Sequence, residues 1–190
     1  MDKKKNLIMI VLAMVLLIAT ASALYGRLGE GMTPQQLMEE ETKAQQEQRQ
    51  KAPDFTVYDA EGNPVKLSEY FGKPIVLNFW ASWCGPCKME MPDFNEKSKE
   101  LEGKVQFLMI NMTDGSRETV EIASAFIAEQ GYTFPVFFDT RGNAAYAYNA
   151  NALPTTYFID AEGYAVSRAT GAISADTLQK GIDMIYQPQV

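Results

Sequence analysis

The two cysteines of this 190-residue chain are separated only by Gly-Pro, at the point where a strand-like run gives way to a helix-like one: VLNFWAS leads into WCGPC and then KMEMP, Val76 to Pro92. Few folds accept that junction. An apolar strand must end on a tight turn, and a helix must start inside the motif, with Pro86 at or near its first position and Cys84 as its N-cap. The rest of the chain has to supply neighbours for a strand buried on both faces.

The flanking pattern supplies them by alternation. Phe55 to Tyr58 reads as a short strand closed by the turn Glu61-Gly62-Asn63-Pro64, and Ser68 caps a brief turn before Gly72. Strands are expected at Ile75 to Ala81, Val105 to Asn111, Phe134 to Phe138, Thr155 to Ile159 and Tyr164 to Ala169. Helices are expected at Pro86 to Leu101 with a kink at Pro92, from about Arg117 to Gln130 before Gly131, at Asn143 to Asn149, and from the cap Ser174 to about Tyr186. Strands interleaved with helices argue for an α/β sandwich with a central mixed sheet and helices on both faces. No internal repeat is present.

The N-terminus is of a different kind. MDKKKN precedes thirteen residues without a polar side chain, Leu7 to Ala19, and then TASAL. A cleaved signal peptide is one reading, with Ala21-Ser22-Ala23 as a small-x-small site; an uncleaved anchor over Leu7 to Leu24, at the short end of spanning length, is the reading taken. Apolar side chains on every face behind a lysine cluster do not suit a buried core helix, and the lysines place the remainder of the chain outside the cytoplasm. The expected organisation is a signal anchor or signal peptide at 1–24, a polar spacer at 25–51 and one domain at 52–190. In the spacer Thr33 and Pro34 could start a helix, but only Leu37, Met38 and Ala44 could pack; a partner-binding helix is the alternative to a simple spacer.

Charge and composition then remove whole classes of chemistry. Lys and Arg number 17 against 24 Asp and Glu; from Tyr25 onward the count is 14 against 23, with no basic stripe, so nucleic acid is not an expected partner. Histidine is absent. Ser/His and Cys/His nucleophile pairs, His-ligated haem and almost every catalytic zinc or copper site need an imidazole. Two cysteines make half of a structural zinc site, and Met89 and Met91 without histidine read as helix packing rather than copper ligands. No metal or cofactor is therefore expected, and redox work at the thiols remains.

That chemistry follows from position. Free N–H groups and the positive end of the helix dipole favour the thiolate of Cys84, making it the nucleophile. Cys87, one turn further on the same face, is the resolving thiol that closes the 84–87 disulfide. A static staple is the alternative, but so small a loop constrains the unfolded chain little. Trp80 alternates into the sheet and reads as core; Trp83 beside the nucleophile reads as an apolar rim for substrates.

WCGPCK resembles the active site of the thioredoxin superfamily. APDFTVYDAEGNPVKLSEYFGKPIVLNFWASWC before the motif, CKMEMP after it, the added segments FPVFFD and NAAYAYNA, and LPTTYFID narrow the likeness to the membrane-tethered, AhpC/TSA-related branch typified by TlpA and ResA, over Ala52 to Tyr186. The resemblance implies a thioredoxin-like three-layer α/β/α sandwich. It implies that Pro154 follows a cis peptide bond opposite the cysteines, leaving the backbone of Leu153 to pair with a substrate strand, and that Trp83, Gly85 and Pro86 complete the substrate-binding set. Where thioredoxin places a buried Asp, six residues before its first cysteine, this chain has Asn78; where the branch has a Glu six residues after it, this chain has Glu90. Glu90 would accept the proton of Cys87, the plain alternative being a first-turn Glu favoured by the helix dipole.

The Gly-Pro dipeptide is shared with thioredoxin, whose potential is about −270 mV, which favours a reductase. The implied activity is an extracytoplasmic thiol-disulfide oxidoreductase that reduces disulfides of envelope proteins, apocytochrome c among them, with a membrane electron donor of the CcdA or DsbD type. Three alternatives stay open: a disulfide-forming oxidase on the same scaffold; a peroxiredoxin-type peroxidase, whose pattern wants Thr where Ala81 stands; and a non-catalytic redox-sensing module.

Overall fold

The structure, a computed structural model, describes residues 14–18, 20, 22 and 50–187. The chain divides into two units, Met1–Gln48 and Arg49–Val190. In the first, the described residues are helical, Met14 to Ile18 are all exposed, and the Thr20 hydroxyl donates to the carbonyls of Leu16 and Leu17, 3.0 Å each. Among the described residues no helix is long and apolar enough to cross a membrane. Most of the expected anchor and spacer, including the helix start at Thr33 and Pro34, lies outside the described residues.

The second unit is built on a seven-stranded sheet. In chain order its elements are β1 (Thr56–Tyr58), β2 (Pro64–Lys66), a 3-10 turn (Leu67–Tyr70), β3 (Ile75–Trp80), α1 (Gly85–Glu100), β4 (Gln106–Asn111), α2 (Val120–Gln130), β5 (Val136–Phe138), α3 (Asn143–Ala147), β6 (Thr155–Ile159), β7 (Ala165–Thr170) and α4 (Ala175–Ile185). The strand order is β2-β1-β5-β4-β3-β6-β7. β3 runs parallel to β4, and β4 to β5, while β6 pairs antiparallel with β3 and β7, so the sheet is mixed. The expected α/β architecture with a mixed sheet is what forms.

β3 shows why. Its six residues are all buried, and their alternation sends Val76 and Trp80 to one face of the sheet and Ile75, Leu77 and Phe79 to the other. On the first face they meet Cys87, Met91 and Phe94 of α1, Ala123 of α2, and Leu178, Ile182 and Ile185 of α4. The second face is covered more thinly, by Leu67 of the 3-10 turn, Ala144 of α3, Tyr148 and Phe55. Helices do lie on both faces, but three long ones share a side: α1 and α2 because both parallel crossovers, β3-α1-β4 and β4-α2-β5, turn with the same hand in the same direction, and α4, after β7, through Leu178, Ile182 and Ile185.

Boundaries differ where a backbone donor is missing or a side chain competes. β5 starts at Val136 rather than Phe134, since Pro135 cannot donate to a ladder. α2 starts after the cap Thr119, whose hydroxyl accepts from Ile122 N at 3.2 Å, rather than at Arg117. β2, pairing antiparallel with β1, was not foreseen; the expected turn at Glu61 to Pro64 joins the two strands. α1 runs unbroken past Pro92 to Glu100, without the N–H that would have met the Lys88 carbonyl.

Candidate active site

Cys84 caps α1 as expected, with Pro86 in the first turn, and its sulfur accepts from the backbone N–H of Cys87 at 3.2 Å. The two cysteines are joined as a disulfide, Cα to Cα 5.3 Å. Both are buried, Cys84 retaining 4% exposure and Cys87 none, so the outer sulfur is the reachable one. Trp83 is 42% exposed beside them, and Trp80 is core. Met91 packs under the helix, but Met89 is 71% exposed, which corrects its assignment to packing: it lies two residues from the buried pair Cys87 and Met91 and so faces away from the sheet.

Glu90 is almost wholly buried in the first helical turns, three residues beyond Cys87. Its Oε1 accepts from Asn78 Nδ2 at 2.8 Å and its Oε2 from the backbone N–H of Ile173 at 2.9 Å. Asn78 reaches it because the β3 alternation puts Asn78 on the Val76 and Trp80 side; the same amide nitrogen donates to Thr156 Oγ1 of the paired strand at 3.0 Å. Burial is the dominant influence on Glu90 and pushes its carboxyl up to about 7, against the lowering effect of the Ile173 and Asn78 bonds and with a small push from Asp93. The positions singled out in thioredoxin and in the ResA branch thus meet in one buried cluster.

The Leu153-Pro154 peptide is cis, as the resemblance implied, and Pro154 is buried. Leu153 lines a groove of about 450 Å³ together with Cys84, Gly85, Pro86 and Trp83. Among the described residues, the backbone groups of Leu153 make no backbone hydrogen bond. All five expected substrate-binding residues except Pro154 therefore share one wall-to-wall depression over the exposed edge of the disulfide.

Sequence reasoning missed the segment between β4 and α2. Glu118 is fully buried there, and its carboxylate accepts from Ser82 N at 2.7 Å, Ser82 Oγ at 2.6 Å and Asn111 Nδ2 at 2.6 Å. Ser82 stands two residues before Cys84, so this carboxylate holds the turn that presents Cys84 to the groove. Arg117 lays its guanidinium 3.9 Å over the Trp83 ring, and Met112 and Asp114 join the groove wall. The cap Thr119 was the available signal: read as an N-cap, it leaves Arg117 and Glu118 in the loop.

With this geometry in view, comparison places the chain. Residues 49–167 match the AhpC/TSA family. The chain belongs to the AhpC/TSA family. Within it, the chain is 35% identical over 135 residues to the thiol-disulfide oxidoreductase ResA of Geobacillus kaustophilus, covering 70% of this chain and 75% of that one. Among solved structures it is similar to a thiol:disulfide interchange protein, a thioredoxin family protein of Chlorobium tepidum, with 26% identity, TM-score 0.63 and coverage of 73% and 97%. It is also similar to the pneumococcal exposed lipoprotein thioredoxin of Streptococcus pneumoniae, with 32% identity, TM-score 0.58 and coverage of 69% and 99%. This AhpC/TSA member has a thioredoxin-like fold and is a thiol-disulfide oxidoreductase of the ResA type.

Proposed function

We propose that the protein works outside the cytoplasm, held at the membrane by its N-terminal segment, and reduces disulfides of other envelope proteins through a Cys84–Cys87 dithiol. The observation that carries the reading is Glu90: buried one turn beyond the resolving cysteine, held by Asn78 and Ile173, and titrating near neutrality. In the dithiol form Cys84, favoured as thiolate by the helix terminus and the Cys87 N–H, attacks one sulfur of a substrate disulfide. The other substrate sulfur leaves as a thiolate and takes a proton. Cys87 then gives its proton to Glu90 and attacks the Cys84 sulfur; the 84–87 disulfide forms and the second substrate sulfur leaves. Two electrons have passed to the substrate, and a membrane donor of the CcdA or DsbD type returns them. Leu153, with its free backbone groups, serves as the docking edge for an extended substrate segment.

The outward direction is supported by the lysines that precede the apolar run and by the row of exposed apolar side chains, Met14 to Ile18, which suit lipid better than water. Apocytochrome c thiols before haem attachment are the substrate class that the resemblance to ResA favours. Cys87→Ser removes the resolving sulfur, so native substrates should remain disulfide-linked to Cys84 and be identifiable after isolation from the envelope. Capture of cytosolic proteins alone, or of none, would sink the proposal.

A further inference from the structure

Asp114 stands in the wall of the same groove as Cys84. Its Oδ1 collects the N–H groups of Ser116, Arg117 and Glu118 at 2.7, 2.8 and 3.0 Å and the Ser116 hydroxyl at 3.1 Å. These donors, the Glu118 N–H foremost, hold its carboxyl down at about 2, so the group is an anion at any pH the protein meets. All four bonds fall on one oxygen; among the described residues Oδ2 accepts none. The nearest cation in the loop, Arg117, is engaged on the Trp83 ring and forms no ion pair with Asp114 among the described residues. The remaining walls are mainly apolar: Trp83, Pro86, Met112, Ala150 and Leu153, with Asn151 as the other polar member. The loop is not free to swing away, because Glu118 is bonded to Ser82 at the base of the nucleophile turn.

We propose that Asp114 is a specificity-determining residue, and that the groove beside Cys84 selects disulfide-bearing polypeptide segments with a Lys or Arg close to the reacting cysteine. This rests on the reductase reading above. Among the described residues, Asp114 is the one charged side chain in the groove lining, the Arg117 cation lying against the Trp83 ring outside that lining; on a body with an acidic excess, such a cleft is complementary to an apolar segment carrying one positive side chain and disfavours one carrying a carboxylate through like-charge repulsion. Asp114 lines the groove in which Cys84 is exposed, so discrimination falls on the first attack.

The test uses the full chain in its dithiol form and three peptides, each with one internal disulfide, alike except for Lys, Gln or Glu beside one cysteine. The single-turnover rate of disulfide reduction is measured for each. Wild type should reduce the Lys peptide faster than the Glu peptide, by on the order of three-fold at low ionic strength, with the ratio falling toward one at about 0.5 M salt. In Asp114→Asn the amide oxygen can still accept from the loop N–H groups while the charge is gone, and the Lys-to-Glu ratio within that variant should approach one. Taking the ratio inside a single variant removes any common loss of rate from disturbed folding. Equal rates for the three peptides in wild type, a preference for Glu, or a Lys preference that survives Asp114→Asn would each overturn the inference while leaving the reductase reading in place. Reduction of none of the three would remove the reductase reading, and this inference with it.

Discussion

Replacing Glu90 by Gln should change the slope of stability against pH, and the size of the change can be worked from its surroundings. The folded carboxyl titrates at about 7, against an ordinary value of 4.5. Between those two pH values the folded chain holds a proton that the unfolded chain has lost, so the stability contributed by the protonated group is fully present below about 4.5 and is lost as pH rises through 7. At about 1.4 kcal/mol for each pH step, the loss is on the order of 3 kcal/mol, complete above about pH 8. A glutamine cannot ionise and carries no such slope. Its amide can also be accommodated: the side-chain oxygen accepts from Ile173 N, and the NH2 finds Asn78 Oδ1, a buried acceptor without a partner, once the Asn78 amide turns over. Denaturant unfolding of the disulfide form of both proteins from pH 4 to 9 gives the difference directly, and titrations common to both cancel. Glu90→Gln should be close to wild type or slightly less stable at pH 4, and more stable by on the order of 3 kcal/mol at pH 8. A difference that stays flat across the range would refute the elevated titration of Glu90, and with it the reason for giving it the proton of Cys87.

Substitutions at two further positions test the frame that holds the site. In Gly181→Ala the added Cβ falls on the Phe158 ring, where α4 crosses β6. The overlap should outweigh the gain in helix propensity and lower stability by about 1–3 kcal/mol in thermal or denaturant unfolding; an unchanged or raised midpoint would show that the helix can lift from the sheet freely. Glu118→Ala leaves the Ser82 N–H and the Asn111 amide buried without their acceptor and should cost about 3 kcal/mol, whereas Glu118→Gln, able to accept from both through one oxygen, should retain most of it. Equal losses in the two variants, read from the same unfolding curves, would mean that the charge of Glu118 matters rather than its geometry.

What was legible in the sequence, and what was not, divides along the range of the interactions. The apolar run IVLNFW and the proline after Cys84 are local signals, and they sufficed to place a buried strand, a capped helix and Cys84 at their junction. Alternation within that strand even carries Asn78 to the side where Glu90 waits, although the bond itself joins residues twelve apart on different elements and leaves no local signal. The Glu118 clamp spans 36 residues, and the Ile173 bond to Glu90 spans 83; no periodicity encodes either. The helix expected from about Arg117 begins only after Thr119, because Asp114 draws the N–H groups of residues 116 to 118 into a turn and leaves Glu118 ahead of the helix. The result is a pair of cysteines flanked by two buried carboxylates, only one of which, Glu118, bonds the turn before Cys84. One, Glu90, lies beyond Cys87 and titrates near neutrality; the other, Glu118, is bonded to Ser82 before Cys84 and is saturated with donors. Their environments divide the work between them: a carboxylate with three donors is suited to hold a loop in place, and one pushed up by burial, with a donor on each oxygen, is suited to take and return a proton.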